Sequence, residues 1–131
     1  MQILQPATWN KPRGYSNGIA ASGNFVFVAG QVGWDKDERF VSSDLVAQIE
    51  QSLKNVLAIL AEAKCSPNHI VRMTWYVTDK IEYKNRGEEI GKIYREIMGK
   101  HFPAMSLIEV SGLFEDEAKV EIEATAVLPV S

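Results

Sequence analysis

The chain has 131 residues, 46% hydrophobic and 24% charged, with a formal net charge of −3; that length suits one domain, 1–131, around one core. The acidic balance argues against a sequence-independent nucleic-acid binder, which needs clustered lysine and arginine to neutralise phosphates. A single cysteine, Cys65, excludes an intrachain disulfide and a cysteine-rich zinc site; no apolar run approaches the roughly 20 residues of a membrane span, and residues 1–6 lack the basic-then-apolar pattern of a secretory signal, so a cytoplasmic setting is expected.

The polar first dozen residues, with Pro6 and Pro12, read as an extended arm. A short strand at 19–21, the turn Ser22-Gly23-Asn24 and a strand at 25–30 read as a hairpin. The unbroken apolar run from Phe25 to Ala29 predicts a strand covered on both faces. Residues 33–43 are polar and read as a loop, closed by Ser43 or Asp44 as a helix cap. Leu45, Ile49, Leu53, Val56, Leu57 and Leu60 then recur on one helical stripe, with Gln48, Gln51, Asn55 and Glu62 off it. Pro67 requires that helix to end near Lys64. Residues 70–77 predict a strand with Val71, Met73, Trp75 and Val77 on one face. Tyr83, Gly87, Ile90, Tyr94, Ile97 and Met98 predict a second helix over 83–98, stopped at Gly99.

The chain closes with two strands, 105–110 and 118–127, which read as a hairpin across the polar turn 111–117. On the second of them Val120, Ile122, Ala124 and Ala126 alternate with Glu121, Glu123 and Thr125, so one face is apolar and the other carries carboxylates. The order β-β-α-β-α-β-β predicts an α+β fold with two helices on one face of a mixed sheet. The opposite face is expected to hold Trp75, Met105 and Leu107 beside Glu109, Glu121 and Glu123. A contiguous apolar patch there would mark a contact with other copies of the chain. His69 and His101 form no metal-binding spacing, and neither has an acid partner for a Ser-His-Asp or Cys-His arrangement, so no metal is expected.

Five stretches carry a resemblance that spans most of the chain: Gly14-Tyr15-Ser16, Val28-Ala29-Gly30-Gln31, Gln51-Ser52-Leu53-Lys54-Asn55-Val56, Phe102-Pro103-Ala104 and Val120-Glu121-Ile122-Glu123-Ala124. In this order and spacing they resemble the YjgF-like, or reactive intermediate deaminase (Rid), family. The resemblance implies a chorismate-mutase-like fold, a homotrimer and a small-molecule cleft at each subunit boundary. It also implies hydrolysis of enamines and imines to a carbonyl compound and ammonia, without metal or organic cofactor. Glu121 matches the family glutamate that positions water and is the catalytic candidate. Tyr15 matches a tyrosine at the cleft mouth, and Gly30 the position where backbone approaches ligand. Gln31, Met105 and Leu107 complete the substrate-binding candidates.

Two positions depart from the family pattern. Met105 stands where the family has an arginine that grips the substrate carboxylate, and a thioether cannot replace a bidentate, charge-assisted contact. Gly87-Glu88-Glu89-Ile90 stands where the family has a threonine- or asparagine-type contact. Two further readings stay open: a non-catalytic ligand-binding or regulatory protein on the same scaffold, and a ribonuclease, which the charge balance disfavours.

Overall fold

The computed structural model describes residues 1–130. Its frame is a four-stranded mixed sheet in the order β3-β6-β4-β5. β6 (Val120–Leu128) lies inside the sheet, antiparallel to β3 (Asn24–Val32) on one side and to β4 (Ile70–Val77) on the other. β5 (Ala104–Glu109) runs parallel to β4 at the edge. Period-two alternation shapes β6 as the sequence indicates. Val120, Ile122, Ala124 and Ala126 are buried, and Glu121, Glu123 and Thr125 are half-buried on the other face.

The terminal hairpin does not form, because β4 lies between β5 and β6. The link from β5 to β6 is long enough to step over one strand, and both its ends are tied to the end of β4. Val110 N–H donates to the Val77 carbonyl at 2.9 Å, and Thr78 N–H to Lys119 at 3.2 Å. The opening hairpin is also corrected. β2 (Gly18–Ala20) pairs antiparallel with β1 (Gln2–Leu4), in a separate two-stranded sheet drawn from the expected arm. At Gly23, φ is +146°, and a Cβ there would stand 2.3 Å from the Leu128 carbonyl oxygen. The chain is thereby led across the end of β6 rather than back along β2.

α1 (Leu45–Glu62) starts at Asp44, whose carboxylate accepts from Ala47 N–H at 3.0 Å. Ile49, Leu53, Val56 and Leu60 from its stripe are fully buried, each worth about 1.5–3 kcal/mol of burial. The expected second helix is two. α2 (Lys80–Asn85) is capped by Asp79 and breaks at Arg86, and α3 (Gly87–Met98) follows directly. The apolar stripe continues through the break, so periodicity alone does not reveal it. The helices and one sheet face share a single core that includes Met73, Trp75 and Ile122. The fold is α+β with all helices on one face, as expected.

The composition of the two sheet faces differs from the expectation. Parallel pairing sets Met73 beside Met105 and Trp75 beside Leu107, so these residues face the helices, and Trp75 is only 1% exposed. Glu121 and Glu123 pair with Tyr76 and Thr74 on the open face. The large apolar groups on that face are Phe25, Phe27 and Ile108. Phe25 and Phe27 are 60% and 73% exposed and meet edge to face at 6.1 Å, so β3 is covered on one side only in the single chain.

Candidate functional site

Between α3, the β5 edge and the segment before β2 lies a cavity of about 440 Å³, a size ordinary for a small-molecule site. Its floor is aromatic. The Trp75 ring lies 6.3 Å from those of both Tyr83 and Tyr94, and Tyr94 stacks on Phe102 at 5.5 Å. Met105 and Leu107 supply the strand side and Tyr15 the rim. Burial raises the pKa of both the Tyr83 and Tyr94 phenols, so the wall is uncharged there. Tyr94 Oη donates to the His101 carbonyl at 2.8 Å. The Trp75 indole N–H is buried without an acceptor among the described residues.

Two of the sequence stretches meet at this rim. Ser16 bridges Ala104 along the outer edge of β5, its N–H donating to the Pro103 carbonyl at 2.9 Å and its hydroxyl to that of Phe102. Gly14-Tyr15-Ser16 is thus fastened to Phe102-Pro103-Ala104, which brings Tyr15 to the cavity that Met105 also lines. A third stretch fixes the far end of β3. Asn55 Nδ2 donates to the Val32 and Trp34 carbonyls at 3.2 and 2.7 Å, and Asn55 Oδ1 accepts from Gln51 Nε2 at 2.8 Å.

Glu121 is on the other side of the sheet. A Cβ on Gly30 would fall 2.3 Å from Glu121 Oε2, so the carboxylate lies against bare backbone, and a side chain at position 30 would displace it. Beside it Tyr76 donates to Glu123 at 2.9 Å, and this hydrogen bond raises the Tyr76 pKa. Glu123 therefore has a partner within its own chain.

The candidates divide into two sets. Tyr15, Met105 and Leu107 line the helix-side cavity, while Gly30 and Glu121 sit together on the open face. One chain does not bring the sets together. Gln31 belongs to neither: its amide donates to the Ala29 carbonyl at 3.0 Å, and it lines a shallow hollow with Trp34 and Asn55. Trp34 packs on Phe40 at 5.8 Å and anchors its own loop. Sequence reading overlooked Arg13 and Arg95, which also line the cavity. The available signal was the helical spacing of Gly87, Ile90, Gly91, Tyr94 and Arg95, one face of α3.

Comparison with known proteins defines the class. Residues 8–128 match the family model described as Endoribonuclease L-PSP. A RutC family protein of Pyrococcus horikoshii is 40% identical over 118 residues, 88% of this chain and 89% of that one. The 2-iminobutanoate/2-iminopropanoate deaminase of Escherichia coli K12 is 35% identical over 127 residues, 92% of this chain and 94% of that one. Among solved structures, a protein of unknown function of the conserved Rid family from Yersinia pestis superposes with a TM-score of 0.85 at 32% identity, covering 97% of this chain and 98% of that one. The chain belongs to the YjgF/Rid family.

Proposed function

We propose that the protein hydrolyses an imine or enamine to a carbonyl compound and ammonia, in clefts where the helix-side cavity of one copy meets the open face of another within a homotrimer. The observation that carries this is the seating of Glu121 on the bare backbone at Gly30, with the ligand-sized cavity on the opposite sheet face. The relatives named as iminobutanoate/iminopropanoate deaminases support the reaction class.

In this reading Glu121 accepts a proton from water as its oxygen attacks the imine carbon. That proton passes to the nitrogen to give a carbinolamine; the hydroxyl proton then follows it to the nitrogen as the C–N bond breaks, releasing ammonia and leaving the carbonyl. Water and imine supply every atom of the products, so the scheme needs no redox partner. In the same reading, backbone groups near Gly30 stabilise charge developing on the reacting centre. The exposed Phe25–Phe27 pair suits burial between copies.

The test is the rate of ammonia release from a panel of enzymatically generated imines, compared with buffer. The wild type should exceed buffer on at least one imine, and Glu121→Gln should remove most of that rate while leaving the fold intact. A panel untouched by the wild type sinks the hydrolytic reading. Met105→Arg is the companion variant. If position 105 sets substrate choice, arginine should raise activity on 2-aminoacrylate by about tenfold or more, the value of one charge-assisted contact. The methionine at 105 also favours a second reading, a non-catalytic ligand-binding protein on the same scaffold. That reading would show ligand-dependent thermal shifts without turnover.

A further inference from the structure

Within one chain the cavity's charge is one-sided. Arg13 and Arg95 both line it, no Asp or Glu does, and neither arginine makes an ion pair or side-chain hydrogen bond among the described residues. In a chain of net charge −3, two unpaired guanidinium groups around one hollow form a local positive field at odds with the whole molecule. The arginines come from separate segments. Arg13 precedes the stretch that Ser16 fastens to β5, and Arg95 stands near the end of α3.

Gly91 accounts for the placement of Arg95. It is the residue one turn earlier on α3, and a Cβ there would come within 3.1 Å of Arg95 Nη1. The guanidinium therefore lies back along the helix over Gly91, which itself lines the cavity. Glycine inside a helix costs about 1 kcal/mol relative to alanine, and here the missing side chain leaves room for the cation at the cavity mouth. Below that mouth the surface changes character. Trp75, Tyr94, Phe102, Met105 and Leu107 form an aromatic and apolar bowl, larger than a three-carbon acid needs. The thioether of Met105 is a favourable neighbour for an aromatic ring.

We infer that this cavity binds a carboxylate carrying a bulky aromatic or apolar group, with the apolar body against Tyr94, Phe102 and Met105 and the carboxylate at Arg13 and Arg95. The charged contacts then lie at the rim, and Met105 meets the ligand's apolar body. Arg13 and Arg95 are the specificity-determining residues. The inference rests on the proposed small-molecule cleft for its location but requires no turnover.

Calorimetric titration of the full chain with three probes tests it: 3-phenylpropionate, its uncharged amide, and propionate. The first should bind about tenfold or more tighter than either of the others, because it alone has both the ring and the charge. Added salt should narrow its advantage over the amide. Arg13→Gln with Arg95→Gln, both at exposed positions, should leave the melting temperature unchanged and abolish the preference for acid over amide. Equal binding of acid and amide, equal binding of 3-phenylpropionate and propionate, an undiminished preference in the double variant, or no saturable binding of 3-phenylpropionate each overturns the proposal. Imine turnover with no such preference would reject this inference and leave the hydrolytic reading standing. The preference without turnover on any imine would do the reverse.

Discussion

Gln48 shows how one side chain can hold segments that lie far apart in sequence. It is fully buried on α1, and its amide donates to the Ser42 and Glu117 carbonyls at 2.9 and 3.0 Å and accepts from Lys119 N–H at 2.8 Å. The loop before α1 and the start of β6 are thereby joined through one group. Gly33 packs against it so closely that a Cβ there would be 2.7 Å from Gln48 Cα. Gln48→Leu keeps the volume but removes all three bonds. It should cost about 2–3 kcal/mol, since leaving a buried polar group unpaired costs about 1–3 kcal/mol. Urea unfolding should show a lower midpoint at an unchanged slope. Periodicity leaves Gln48 off the apolar stripe, as if it were a solvent-facing residue. Two of its three partners lie 69 and 71 residues away, so no local pattern could have revealed its burial. The same limit hid Arg13 and Arg95, which become a pair only when α3 and the segment before β2 meet at the cavity.

At the scale of elements, Arg86 joins two helix starts. It pairs with Asp44, the N-cap of α1, and with Glu89 in the first turn of α3, at 2.8 Å for the latter. Asp44 has its pKa lowered first by the hydrogen bond from Arg86 and then by that from Ala47 N–H. Glu89 is lowered mainly by Arg86. A carboxylate whose folded-state pKa is depressed stabilises the fold above its unfolded value and loses that contribution as pH falls through the folded one. Asp44→Asn keeps a competent cap but loses the charge. It should therefore be less stable than wild type at pH 7, with the gap closing as pH drops below the ordinary 3.8 of an aspartate. Asp44→Ala also loses the cap and should cost about 1 kcal/mol more. Thermal melts across the acid range measure both. Element identity was largely legible because it is local: the α1 stripe, the β4 run and the β6 alternation are periodicities of contiguous residues. Strand partnership was not. The alternation that makes β6 a strand is equally consistent with a neighbour on β5 or on β4, and the link that steps over β4 decides between them. Trp75 follows the same rule. Its strand was readable, but its helix-facing side was fixed only by pairing with Leu107.

At the scale of the whole molecule, the open sheet face is the unfinished part. In one chain Phe27 is mostly exposed, so Phe27→Asp should cost an isolated protomer only about 1–2 kcal/mol, from its edge-to-face contact with Phe25 and from strand propensity. In the proposed trimer the same change buries a charge at an interface, and sedimentation velocity should show the assembly falling to monomers. A sharper prediction follows from the division of the candidate residues between two sheet faces. Glu121→Gln disables the face bearing the carboxylate, and Leu107→Trp fills the cavity, so each homotrimer should be inactive. If a cleft takes its cavity from one copy and its carboxylate from the next, coexpressing the two variants rebuilds clefts wherever a Glu121→Gln chain lends its cavity to a Leu107→Trp chain. Random assembly of a closed ring then restores about one site in four. Mixed trimers, isolated by two affinity tags, should regain imine-hydrolysing activity that neither parent has. A site contained within one chain would regain none, because each chain in the mixture carries one of the two lesions.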